Sequence, residues 1–171
     1  SRHYEVARYY ALNEHTAVIR KVCRLYTDNQ TDFHDYFQEV VLQLWRSFGS
    51  FRGESKASTW VYRVALNVCL SQLKLKKRRG TATTLDPEAA QRWADEPYDT
   101  TEEEQIKQLY VAIRQLKEID RAIILLYLEE RSYDEMADIL GISQSNVGVR
   151  INRIKKQLNK LIHGRATSAV A

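Results

Sequence analysis

The sequence predicts an all-α fold of two small helical domains joined by a flexible linker. Three observations carry that expectation. Apolar residues recur at helical spacing over nearly the whole chain, with no run of strand-like alternation. Both prolines, Pro87 and Pro97, fall in one acidic, threonine-rich stretch. That stretch separates two blocks, each with its own apolar set and hence its own candidate core. A length of 171 residues with 44% hydrophobic content suits two such domains and excludes global disorder.

In the N-terminal block, a first helix is expected over about 4–26. A second opens near Thr31 or Asp32 and runs through Val40, Val41, Leu44 and Trp45 to Phe48. Gly49, Ser50 and Gly53 interrupt the pattern. A third helix opens with Ser58 or Thr59 as its cap and continues to about Arg78, where Gly80 ends it. The expected domains are 1–79, a linker over 80–101, a second domain over 102–165, and a disordered tail over 166–171. Fully extended, the linker reaches about 70 Å. Helices resume at Thr101, where Thr101 and Glu104 have capping-box spacing. Ile106, Leu109, Tyr110, Ile113 and Leu116 follow at helical spacing, then an apolar helix over Ile119–Leu128, then Ser132–Leu140, then Ser143 to about His163.

Several function classes fall away. No run of 18 apolar residues is present, so no membrane span is expected. The first ten residues lack a signal-peptide layout, and the missing initial methionine points to a trimmed N-terminus instead of a processed secreted one. Cys23 and Cys69 lie within helical apolar patterns, which suits buried free thiols in a reducing cytoplasm. His3, His15, His34 and His163 have neither ligand nor triad spacing. No metal, cofactor or catalytic residue is expected, and the chain is not read as an enzyme.

The net charge of +4 is less informative than its distribution. Lys74–Arg79 has five basic residues in six, and no acid occurs after Asp138. Between these zones, Asp86–Glu104 holds eight acids against Arg92 alone. Two basic zones flanking an acidic one suit two contacts with a polyanion, joined by a segment that avoids it.

The C-terminal zone carries the most specific motif. Ser132 and Glu135 form a capping box, Gly141 suits a left-handed helix end, and Ser143 caps the next helix after a turn of about three residues. Ala137 allows a close helix crossing, and Ile142 and Val147 are placed to fill the angle. The following helix is polar and basic: Gln144, Ser145, Asn146, Arg150, Asn152, Arg153, Lys155, Lys156. Ser145 and Asn146 occupy the first turn, where recognition helices meet base edges. Asn146, Arg150 and Arg153 share a face; Asn suits adenine, and Arg suits guanine or phosphate.

In the N-terminal block, Asp35, Gln38 and Glu39 at i, i+3 and i+4 share a polar face. Trp60, Arg63 and Asn67 form a stripe continuing to Lys74. Val61, Val64, Ala65 and Val68 take another side as core, and Tyr62 lies with Leu66, Cys69 and Leu73 on a buried side. Arginine and lysine on such a stripe suit phosphates, and the aromatic suits a wedge or stacking surface, though tryptophan at this spacing also suits a core.

The stretches Asp35–Val40, Trp45–Arg46, Phe51–Ser55 and Thr59–Asn67 resemble region 2 of the sigma-70 family, and most closely its extracytoplasmic-function (ECF) group. Ser132–Ser143 resembles region 4 of that family. The resemblance covers about 10–79 and 103–162, and the two blocks in this order without a region 3 domain are specific. It implies a bacterial RNA polymerase sigma factor acting in the cytoplasm. Asp35, Gln38 and Glu39 would bind the coiled coil of the polymerase β′ subunit. Phe51, Arg52, Gly53, Trp60, Arg63, Asn67, Lys74, Lys77 and Arg78 would take up the opened −10 element, including a flipped base. Gln144, Ser145, Asn146, Arg150, Arg153, Lys155 and Lys156 would read the −35 element in the major groove. The linker would thread the polymerase, with the β subunit also in contact, and an anti-sigma factor is an implied partner. The two elements lie roughly 70 Å apart, two duplex turns, within the linker's reach. Ala57 departs from the aromatic that relatives often carry. Gly148 and Val149 replace a basic residue and a serine; Gly148 would let the helix backbone approach DNA closely. The alternative is a polymerase-independent helix-turn-helix regulator, which would have no use for the Asp35–Glu39 face.

Overall fold

The computed structural model describes residues 2–51, 56–80 and 101–170. Every regular element among them is helical. The helices are α1 (Arg2–Glu14), α2 (Thr16–Leu25), α3 (Gln30–Ser47), α4 (Ala57–Arg78), α5 (Thr101–Ile113), α6 (Glu118–Leu128), α7 (Tyr133–Leu140) and α8 (Gln144–Val170), with a 3-10 turn at Phe48–Ser50 after α3. The chain divides into two compact units at Thr83. Pro87, Pro97 and the rest of the expected linker over 81–100 lie outside the described residues, as do the side chains of Thr101 and Glu104.

In the N-terminal unit, α2 and α3 pack on α4. Ile19, Val22, Cys23 and Leu25 of α2 meet Tyr36, Val40 and Leu44 of α3 over the buried side of α4, from Val61 to Leu73. Two stripes of α4 are buried, as the spacing predicts. Tyr62, Leu66, Cys69 and Leu73 are in the core, and so are Val61, Ala65 and Val68, while Val64 is half-buried. Full burial is worth roughly 1.5–3 kcal/mol for each large side chain, so α4 is the element the unit is built around.

The expected single first helix is broken. His15 leaves the helical path between α1 and α2, and the Thr16 hydroxyl donates to the Leu12 carbonyl at 3.1 Å, satisfying one exposed helix end. The N-terminus of α3 also differs. Asn29 is the cap: its side-chain oxygen accepts from the Asp32 backbone N–H at 2.8 Å. That bond starts the helix before the expected Thr31 or Asp32. Helix α4 begins at Ala57 with Lys56 as cap, and Thr59, an expected cap, is buried. Gly80 ends the helix in a left-handed conformation, φ 70°, as expected.

In the C-terminal unit, Val147, Ile151, Ile154 and Leu158 form the inward stripe of α8. They meet Met136 and Ile139 of α7, the apolar run from Ala122 to Leu126 of α6, and Val111–Ile113 of α5. Helix α8 runs to Val170, so the disordered tail expected over 166–171 is replaced by helix as far as that residue.

Candidate nucleic-acid interface

The helix-turn-helix forms as its caps dictate. The Ser132 hydroxyl accepts from the Glu135 N–H at 3.1 Å and opens α7. The reciprocal half of the capping box is replaced, because the Glu135 carboxylate accepts from Arg131 at 3.2 Å instead. Gly141 is left-handed, φ 68°, and the Ile142 N–H donates back to the Ala137 carbonyl at 3.2 Å. That bond is the wrapping contact of a Schellman end. Ser143 then caps α8, its hydroxyl accepting from the Asn146 N–H at 3.2 Å. Val147 fills the angle completely, and Ile142 does so in part.

On α8, Gln144, Ser145, Asn146, Arg153, Lys155 and Lys156 are exposed and Arg150 is half-buried. Gln144 donates to Asp134 of α7 at 2.8 Å, and the Ser143 and Ser145 hydroxyls lie 3.2 Å apart. Arg150 occupies the centre of the expected reading face. Its Nε donates to Asn146 Oδ1 at 3.1 Å, and its Nη1 donates to Asp120 Oδ1 of α6, also at 3.1 Å. The Arg153 guanidinium stands 3.9 Å from the same carboxylate oxygen. Asp120 is buried, and no sequence signal marked it: it sits in the first turn of α6, where acids are ordinary. Lys155 lies off this face. Its ammonium donates to the Tyr127 hydroxyl at 2.8 Å and sits over the Tyr127 ring, and that hydrogen bond raises its pKa. Gly148 is half-buried. A Cβ there would meet the Tyr133 ring at 3.4 Å, so its open side is taken by α7.

In the N-terminal unit, Asp35 and Gln38 are exposed on α3 and Glu39 is half-buried, its carboxylate accepting from Gln43 at 3.2 Å. Leu42 and Trp45 are exposed on the same helix, an apolar continuation that the polar pattern did not single out. Trp45 carries the Arg8 guanidinium 3.7 Å above its ring. On α4, Asn67, Lys74, Lys77 and Arg78 are exposed and Arg63 is half-buried. Trp60 is half-buried in an aromatic cluster, stacked on Phe51 at 5.0 Å and edge-on to Phe48 at 6.1 Å. The aromatic head of the stripe is thus a group of three rings, not a lone wedge. Arg52 and Gly53 lie outside the described residues.

Two charges in this unit have structural partners. Lys76, within the basic run, pairs with Asp32 of α3 and lies over the Tyr36 ring. Burial alone would raise the Asp32 pKa, but hydrogen bonds from Lys76 and Asn29, together with the Lys76 charge, hold it below the ordinary value. The Tyr36 hydroxyl is buried without a hydrogen-bond partner, and burial, with the Asp32 charge nearby, pushes its pKa well up. Cys23 and Cys69 are both buried free thiols, as expected. Burial and a hydrogen bond with Cys23 push the Cys69 pKa up, which makes it an inert thiol.

A glycine turn between two capped helices, the second basic and free of acids, defines a helix-turn-helix DNA-binding protein, here with a separate helical unit before it. Comparison with known proteins gives the family. Residues 11–79 match the family model for Sigma-70 region 2, and 106–158 match that for Sigma-70, region 4. The ECF RNA polymerase sigma-E factor of Haemophilus influenzae is 31% identical over 144 residues, covering 78% of this chain and 76% of that protein. The sigma-E factor of Escherichia coli K12 is 28% identical over 141 residues, with 77% and 74% covered. The ECF sigma factor SigG of Mycobacterium tuberculosis is 30% identical over 161 residues, covering 80% of this chain but only 43% of SigG. The sigma factor RpoE of Bartonella quintana, solved in complex with the anti-sigma factor NepR, has the same fold: TM-score 0.69 at 18% identity, over 89% of this chain and 94% of that one. The chain belongs to the ECF group of the sigma-70 family. Among the described residues, no helix is long and apolar enough to cross a membrane.

Proposed function

We propose that this chain is a promoter-specificity subunit of bacterial RNA polymerase. It binds the core enzyme through α3, reads the −35 element through α8, and takes up the opened −10 strand along α4. The observation that carries this reading is the pairing of two surfaces in one chain: the exposed Asp35 and Gln38 beside Leu42 on α3, and the capped, acid-free α8. A regulator acting alone would need the second and not the first. The exposed side chains on α4 supply cations for phosphates, and the Phe48–Phe51–Trp60 cluster supplies ring faces beside the segment 52–55. The chain carries no chemistry in this scheme; the polymerase makes RNA. An anti-sigma factor that covers the exposed apolar residues of both units is the partner that would hold it inactive.

The test is reconstitution. Core RNA polymerase supplemented with this chain initiates at a discrete set of genomic promoters, read by sequencing of transcript 5′ ends. If the chain neither binds core nor directs initiation anywhere, the reading fails, and duplex DNA binding without core would favour the independent regulator. Glu39→Lys weakens core binding, because placing like charges across an interface costs several kcal/mol, while DNA binding by α8 is retained. Unchanged core affinity removes Glu39 from the interface.

A further inference from the structure

We propose that Asp120 is a positioning residue for promoter reading: its buried carboxylate fixes Arg150, and through it Asn146, so that the start of α8 offers N–H donors to base edges. The inference rests on the −35 reading above and deepens it. Asp120 comes from α6, outside the helix-turn-helix pair, and only 4% of its side chain is exposed. A buried carboxylate without a cation is strongly disfavoured. Here Arg150 supplies the cation through Nη1 at 3.1 Å, with Arg153 at 3.9 Å. The position in the first turn of α6 adds the favourable field of a helix N-terminus.

Arg150 has five N–H donors. One bond goes to Asp120 and one to Asn146, so the guanidinium is held at two points with Nη2 left over. The bond to Asn146 holds the amide that would meet a base. Reading adenine with both ends of an amide requires Oδ1 to accept from N6 and Nδ2 to donate to N7. Asn146 Oδ1 accepts from Arg150 Nε at 3.1 Å, which occupies one of its two lone pairs and holds the amide in place. Asn146 and Arg150 together therefore present a fixed set of groups to the bases: N–H donors from Nδ2 and Nη2, and the second lone pair of Oδ1.

The experiment uses the full chain with core polymerase and a promoter library randomised across the upstream element. The wild type enriches one motif, with one position whose preference disappears in Asn146→Ala. Asp120→Asn, nearly identical in shape, keeps core binding and helical content but loses about tenfold in discrimination between the enriched motif and its single-base variants. Should that variant fold poorly, Asp120→Glu keeps the charge but moves the carboxylate by one methylene, and the same loss is expected. An unchanged motif and unchanged discrimination in Asp120→Asn or Asp120→Glu overturns the positioning role. If the wild type with core enriches no motif at all, the promoter reading itself fails and the inference with it.

Discussion

The two helical units handle their charges differently. In the N-terminal unit, the Lys76–Asp32 pair ties α4 to α3, while Asn67 and Lys74 on the stripe beside it remain exposed. Bracing and the proposed DNA contacts fall to different side chains. In the C-terminal unit the two roles meet in one side chain: Arg150 is at once the centre of the proposed reading face and the counter-ion of a buried carboxylate. A substitution at Asn67 or Lys74 therefore tests binding alone. A substitution at Arg150 tests binding and folding together.

The largest expected effect breaks this comparison if it fails. Arg150→Ala leaves Asp120 with only the more distant Arg153 and destabilises the C-terminal unit by about 3 kcal/mol, in addition to its loss of −35 recognition. Asp120→Asn introduced beside it recovers most of the stability but none of the recognition. Urea unfolding measures the first effect, and promoter binding by the reconstituted polymerase the second. Equal stability of Arg150→Ala and wild type would show that the arginine is not a brace.

The corresponding pair in the first unit is smaller, at most about 1 kcal/mol for a partly exposed ion pair. Its pH dependence has a definite sign. The Asp32 pKa is lowered on folding from an ordinary value of 3.8. Its contribution is therefore full above that value and is lost as pH falls through the lower folded value. Asp32→Asn removes this part of the acid sensitivity, which shows as a smaller drop in unfolding free energy between pH 5 and strongly acidic solution. An identical acid profile in the variant would mean that Lys76 does not stabilise the folded carboxylate.

What the sequence makes legible follows the range of the interactions. Ser132, Gly141 and Ser143 act on backbone groups within about a turn of themselves, so both ends of α7 and the start of α8 can be read from local pattern. The buried stripes of α4 follow from periodicity for the same reason. Asp120 with Arg150, Lys76 with Asp32, Arg8 with Trp45 and Lys155 with Tyr127 join residues 28 or more positions apart. No spacing rule announces such pairs. A charged face read from sequence looks uniformly solvated, and only the fold shows which of its members are committed. The break at His15 escaped notice for a related reason: neither glycine nor proline marks it.

Gly148 sharpens the comparison from the DNA side. Its open side meets the Tyr133 ring, and a methyl group there would make ordinary contact at 3.4 Å. Gly148→Ala therefore raises the stability of the C-terminal unit by about 1 kcal/mol through helix propensity, measured by thermal unfolding, with promoter affinity unchanged. If stability rises while affinity falls, the glycine serves close approach to DNA after all. If stability falls, the Tyr133 packing is tighter than the contact distance implies.

The smallest effect concerns the turn that leads from α6 into the helix-turn-helix. Glu130 has a left-handed backbone, φ 58°, the one non-glycine residue with positive φ among those described. The Arg131 N–H donates back to the Leu126 carbonyl at 3.0 Å, the wrapping bond of a helix end that glycine ordinarily provides. A side chain in this conformation costs roughly 1–2 kcal/mol, and the acid also lies at the unfavourable end of the helix field. Glycine removes both costs but adds roughly 0.4–1 kcal/mol of unfolded-state entropy. Glu130→Gly is therefore expected to gain about 0.5 kcal/mol, seen as a small upward shift of the unfolding midpoint and slower exchange of the Arg131 amide. A loss of stability would mean that the Glu130 side chain has an energetic role that outweighs its backbone strain. The C-terminal unit would then hold a second charge, besides Asp120, that braces the reading head.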